Sequence, residues 1–135
     1  MKNLSKRVKS IIIGAIALVC IAAAVVVGNA YNEVKHEEAM ISLVRDGSFN
    51  DYNGNIGNHM EDYFRDEPVW TVEETDKGTY VNVEGTGLYY GNESDLKIQF
   101  YIHKDNENWN SNKLWINGEE AENWELNDLI YEIMQ

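Results

Sequence analysis

The side chains able to do chemistry in this 135-residue chain are plentiful, but they are not arranged in any familiar set. Three histidines are present, His36, His59 and His103, and one cysteine, Cys20. No H-E-x-x-H run or paired Cys/His spacing exists, so a zinc site has no ligand pattern to rest on. His59 stands two positions before Glu61, which on a helix sends the two side chains to different faces. Ser42, Ser48, Ser94 and Ser111 carry hydroxyls, but none lies in a G-x-S-x-G setting. Gly85-Thr86-Gly87 lacks the following Lys-Ser/Thr of a phosphate loop.

Oxygen ligands are concentrated in two stretches, Asp46 to Glu61 and Asp105 to Asn108. A calcium loop of the EF-hand type needs Gly at its sixth position, and ending that loop at Glu61 places Asn55 there. Asp105-Asn106-Glu107-Asn108 lacks the glycine turn as well. The expectation is therefore a non-enzymatic protein with no cofactor and no resident metal. An envelope hydrolase using two of its many carboxylates is the third-ranked alternative.

The aromatics carry more promise. Trp70, Trp109, Trp115 and Trp124, with Tyr89, Tyr90 and Tyr101, are many for so small a chain. Trp70 and Trp124 read as core. Trp109 reads as part of a polar loop, and Tyr101 as the outward side of a strand. Tyr101 and Trp109 are thus the candidate contacts for a protein partner or a glycan.

These residues must be positioned by what surrounds them. Residues 11–28 read IIIGAIALVCIAAAVVVG, without charge, and follow Lys2, Lys6, Arg7 and Lys9. Eighteen residues of helix span about 27 Å, close to the roughly 30 Å hydrocarbon core of a bilayer. The expected layout is a cytoplasmic basic tail over 1–10 and a transmembrane anchor or signal peptide over 11–30. A helical stalk over 31–45 and an extracytoplasmic domain over 46–135 follow. Gly28-Asn29-Ala30 offers small residues for cleavage after Ala30, which would secrete the domain. Val19 before Cys20 is a poor lipoprotein signal, and with one cysteine the outer domain has no disulfide.

Residues 31–135 hold seven Lys/Arg against 23 Asp/Glu, a net charge of −16. That charge excludes nucleic acid as a partner and favours basic proteins, cationic peptides or metal ions.

The fold expected is α+β. Ile56, Met60, Tyr63 and Phe64 share one helical face, with Asn55 as N-cap and Pro68 beyond the end. Val69–Val72, Thr79–Tyr90, Leu96–His103 and Leu114–Ile116 read as four strands of an antiparallel meander. Gly85 and Gly87 suggest a bulge or bend in the second. Leu126, Leu129, Ile130, Ile133 and Met134 make the stripe of a closing helix capped by Asn123, which must pack on one sheet face.

Several runs together carry a resemblance: Val44-Arg45-Asp46-Gly47-Ser48-Phe49, Ile56-Gly57, Pro68-Val69-Trp70, Val81-Asn82-Val83-Glu84-Gly85, Ile98-Gln99-Phe100 and Ile116-Asn117-Gly118. Residues 43–133 resemble a family of small, poorly characterised bacterial domains. These follow a transmembrane helix, a lipoprotein signal or a zinc ribbon. The resemblance implies an extracytoplasmic α+β domain and no catalytic residue; this chain has no zinc ribbon. The functional expectation is a membrane-anchored binding or accessory module for a protein or envelope component. The alternative is an acidic immunity or inhibitor protein that blocks a basic toxin or enzyme.

Overall fold

The computed structural model describes the backbone of residues 24–135 and the side chains of residues 32–135. The expected membrane segment falls for the most part on residues outside the described ones. Among the described residues no helix is long and apolar enough to cross a membrane. The chain divides into two units, residues 1–39 and 40–135. Of the first, the described part is the start of helix α1 (Ala24–Arg45), which runs through the residues read as a stalk.

The second unit is α+β. The end of α1 supplies buried Met40 and Val44. Helix α2 (Ile56–Tyr63) follows, then five strands: β1 (Val69–Thr75), β2 (Gly78–Tyr89), β3 (Asn92–Ile102), β4 (Trp109–Ile116) and β5 (Glu119–Glu120). Helix α3 (Asn123–Ile133) closes the chain. The sheet is an antiparallel meander in the order β1-β2-β3-β4-β5, one strand more than expected. Two glutamates carry no apolar alternation, so β5 leaves no trace in the hydropathy pattern. Asn117 and Gly118, at φ of 53° and 88°, turn the chain so that Glu119 and Glu120 pair with Ile116 and Trp115. Positive φ at both central residues is the tight hairpin geometry that Asn-Gly favours.

One sheet face is the core. Val81 pairs with Phe100 and Val83 with Ile98, and these four are fully buried beside Leu96, Ile102 and Leu114. Ile56, Met60 and Phe64 pack on them from α2, and Leu126, Leu129, Ile130 and Ile133 from α3. Burying such a side chain contributes about 1.5–3 kcal/mol each.

Gly85 and Gly87 make no bulge. The β2–β3 register runs through both, opposite Leu96 and Ser94. A Cβ on Gly85 would lie 2.7 Å from Phe64 Cγ, and one on Gly87 2.7 Å from Tyr63 Cε2. These glycines let the aromatic face of α2 lie down on the strand.

The bulge lies elsewhere. Gln99 pairs with Lys113 but Phe100 with Ser111, so Asn112 is the extra residue in β4. In an unbroken strand Trp109 and Leu114, five apart, would face opposite sides. The extra residue returns both to the core side. Trp109 therefore begins a strand rather than sitting in a polar loop.

Asn55 caps α2 as expected, its Oδ1 accepting from Asn58 N–H at 2.8 Å. The cap of α3 is Glu122 instead of Asn123, and its N–H donates to Glu125 Oε1 at 3.0 Å. Trp124, on the first turn of α3, is exposed rather than in the core, whereas Trp70 is half-buried against it.

Candidate functional site

Two loops, each tied within itself, stand either side of an open groove of about 520 Å³. The first is the turn-rich stretch after α1. Gly47 N–H donates to the Val44 carbonyl at 3.1 Å, and Ile56 N–H donates to the Gly47 carbonyl at 2.8 Å. Ser48 Oγ donates to the Gly54 carbonyl at 2.8 Å. Phe49 anchors the stretch, its ring edge-on to Tyr52 and Trp109 at 6.2 and 5.4 Å and tilted on Phe100 at 6.4 Å.

The second wall is the β3–β4 hairpin. His103 N–H donates to the Asn108 carbonyl at 2.8 Å. Asp105 holds the tip: its Oδ1 accepts from the N–H groups of Glu107 and Asn108, and its Oδ2 from Asn108 Nδ2 at 2.7 Å. The Glu107 N–H, then the Asn108 side chain and N–H, hold this exposed carboxyl below its usual range. The oxygens of this stretch are thus engaged by its own loop. Among the described residues no group of three or more His, Cys, Asp or Glu is placed to hold a metal.

The groove between these walls is lined by Asn50, Asn108, Asn110, Ser111, Glu107 and Trp109, with Gly47, Ser48, Phe49 and Leu43 beneath or beside them. Trp109 stands edge-on to Phe49 and to Phe100 at 5.5 Å, which fixes the indole. Gly47 allows that approach: a Cβ there would lie 3.1 Å from the indole Cζ2 and 2.9 Å from the Leu43 carbonyl. The lining offers the Asn50 amide, the Ser48 and Ser111 hydroxyls, one carboxylate and a rigid indole, and no cation; the Asn108 and Asn110 side chains are already bonded, to Asp105 and to His103 and the Ser111 carbonyl. Such a surface suits an uncharged hydrogen-bonding ligand; an anion meets only Glu107.

Tyr101 and Trp109 do not converge. Tyr101 pairs with Asn110 and Trp109 with Ile102, so the two side chains leave opposite faces of the sheet. Tyr101 is half-buried, tilted on Tyr80 at 5.5 Å and on His103 at 5.7 Å. His103 Nε2–H donates to Asn110 Oδ1 at 2.6 Å. Row by row, this second face places Thr71, Asn82 and Gln99 side by side, all buried. Asn82 Nδ2 donates to Glu73 Oε1 at 3.3 Å and Asn112 Nδ2 to Gln99 Oε1 at 2.7 Å. Asn82 Oδ1 has no partner among the described residues. Lys97 lies 4.7 Å over the Trp115 ring and closes the row beyond.

The sequence marked Gly47 and Phe49 only as part of the resemblance and Asn108 only as an oxygen donor, and singled out none of them, nor Asn50 and Asn110, as lining a groove. The signal was the glycine-aromatic pair Gly47/Phe49 ahead of a helix cap, which marks a loop pinned to a core. No family model, curated protein or solved structure matches the chain.

Proposed function

We propose that residues 40–135 form a non-enzymatic binding module, held outside a membrane by residues 11–28. The groove between residues 47–50 and 107–111 seats an uncharged, hydrogen-bonding part of a protein or envelope component. The observation that carries this reading is the rigid groove. Both walls are closed by their own hydrogen bonds, and Trp109 is locked by Phe49 and Phe100, so little ordering cost is left for binding. The basic tail before the apolar run supports the location.

The test is a photo-crosslinking side chain at Asn50, exposed on the first wall of the groove, in the full-length chain, in its own membrane, beside a control at Asp76 in the β1–β2 turn. A discrete adduct from position 50, absent from position 76, is expected. Equal labelling from both positions would remove the groove from the proposal.

A second reading, an inhibitor of a basic protein, is favoured by one observation. Residues 114–135 hold six acids and no Lys, Arg or His.

A further inference from the structure

The largest exposed apolar side chains of this unit lie on two elements, the end of the β2–β3 hairpin and α3. Leu88, Tyr90, Trp124 and Tyr131 expose 50, 61, 59 and 57 % of their surface. Trp124, Asp128 and Tyr131 fall at offsets 0, 4 and 7 of α3, on the ridge opposite the buried Leu126, Leu129, Ile130 and Ile133. Along the axis the Cα positions of Trp124 and Tyr131 stand about 6 Å and about 4.5 Å on either side of that of Asp128. Tyr90, at the tip of the β2–β3 hairpin, donates its hydroxyl to Asp128 Oδ2 and so brings a third ring to the same carboxylate. Tyr90 does this from φ +52°, in a turn where Asn or Gly would be the relaxed choice. Exposed Trp and Tyr at this density mark contact surfaces, since isolated exposed aromatics are otherwise scattered.

The charge around them selects the partner. Of the acids of α3 and its approach, Glu120 is paired with Lys113 at 3.5 Å, while Glu119, Glu122, Glu125, Asp128 and Glu132 have no cation among residues 114–135. Glu93, at the start of β3, is paired with Arg65 at 3.3 Å. Ring faces and carboxylates at one spot are complementary to guanidinium and ammonium groups. Arg stacks on aromatic rings while its fork binds a carboxylate. Anionic lipid and nucleic acid are repelled by the same charge.

We propose that the outward ridge of α3, with the β2–β3 hairpin tip, docks a Lys/Arg-rich segment of another protein. Its cationic side chains lie on Trp124 and Tyr131 and pair with Asp128 and Glu132. This surface meets the first wall of the groove only where the Tyr131 ring stands edge-on to Tyr52 at 6.5 Å, and its occupation does not depend on the groove being filled.

The experiment uses full-length protein in nanodiscs of phosphatidylethanolamine, and a short fluorescent peptide alternating Arg with Gly. A second peptide replaces every Arg by citrulline, which keeps the shape and removes the charge. Expected are binding of the Arg peptide at about 50 mM salt, steep weakening by about 300 mM, and no binding of the citrulline peptide. The pair Trp124→Ser and Tyr131→Ser should weaken binding by about tenfold or more, and Trp124→Ser alone, which leaves the Tyr131–Tyr52 ring contact in place, should weaken it in the same direction. Unchanged binding by that pair would leave only diffuse charge and overturn the proposal. So would equal binding of the citrulline peptide, or no binding at low salt. Competition by phosphatidylcholine vesicles would assign the rings to a lipid headgroup and overturn it too.

Discussion

At the scale of single residues, the tyrosines at the helix–hairpin junction do the most. Tyr63 donates its hydroxyl to the Leu88 carbonyl, which ties α2 to the end of β2. Burial, and then the nearby Glu132 charge, push the Tyr63 phenol up to about 12. Tyr89, buried beneath Tyr90, is raised further, chiefly by burial, and its hydroxyl has no partner among the described residues. Tyr90 is raised mainly by its bond to Asp128. A phenol in the unfolded chain ionises near about pH 10. Below that pH both states keep the proton and the stabilisation is complete. Above it the unfolded chain sheds the proton first, so stability falls as pH rises through the folded values. Tyr63→Phe should cost about 1 kcal/mol at neutral pH, through the lost hydrogen bond. It should also lose less stability than the wild type between about pH 8 and about pH 11. Urea midpoints of the two proteins at both pH values measure this. Parallel declines would mean that Tyr63 is not part of the alkaline response.

At the scale of elements, the turns set the register on which the core depends. The β2–β3 hairpin closes through Tyr90 and Gly91, both at positive φ. A Cβ on Gly91 would meet nothing within 4 Å, yet φ there is +78°. Gly91→Ala is therefore a clean measure of backbone strain without collision. It should destabilise by about 1 kcal/mol, seen as a lower urea midpoint with an unchanged slope. No loss would mean that this turn relaxes freely. The elements legible in the sequence were those whose apolar period agrees with one buried face. These are α2, the strictly alternating Leu96–Ile102 run and the Leu/Ile stripe of α3. The start of β4 was not legible, because the extra Asn112 breaks the alternation between Trp109 and Leu114. Nor was β5, where two glutamates pair by backbone alone. Trp124 was misplaced for another reason. Its aromatic character suggested core, while its phase on α3 puts it opposite the Leu126–Leu129–Ile130–Ile133 stripe. Of the candidate contacts, Trp109 was named for its residue type, but its neighbours at the groove, Gly47 and Phe49, became visible only when the loop closed on the sheet.

At the scale of the whole molecule, the question is where a domain with so much negative charge is held. Residues 31–135 carry −16, while the four cations Lys2, Lys6, Arg7 and Lys9 precede the apolar run. Translocating those four past a hydrocarbon layer is far costlier than leaving them behind, so the proposed anchor would leave the acidic part outside. The apolar run is only just long enough for that role, about 27 Å against a core of roughly 30 Å. A short span is accommodated by local thinning or by lysines reaching back to the headgroups, at a modest cost. Full-length protein with a C-terminal tag should therefore sediment with membranes and resist alkaline carbonate extraction. Protease added outside intact cells should remove the tag. A chain lacking residues 2–30 should instead stay soluble and in the cell, because residues 31–135 are strongly charged and contain no apolar run of spanning length. If cleavage follows Ala30, the tagged product appears in the medium, shortened by the leader, and the domain is still delivered outward. A full-length product that is freely soluble within the cell, its first thirty residues intact, would refute the anchor. It would also take away the extracytoplasmic setting assigned to both binding surfaces, although the groove and the α3 ridge themselves would stand.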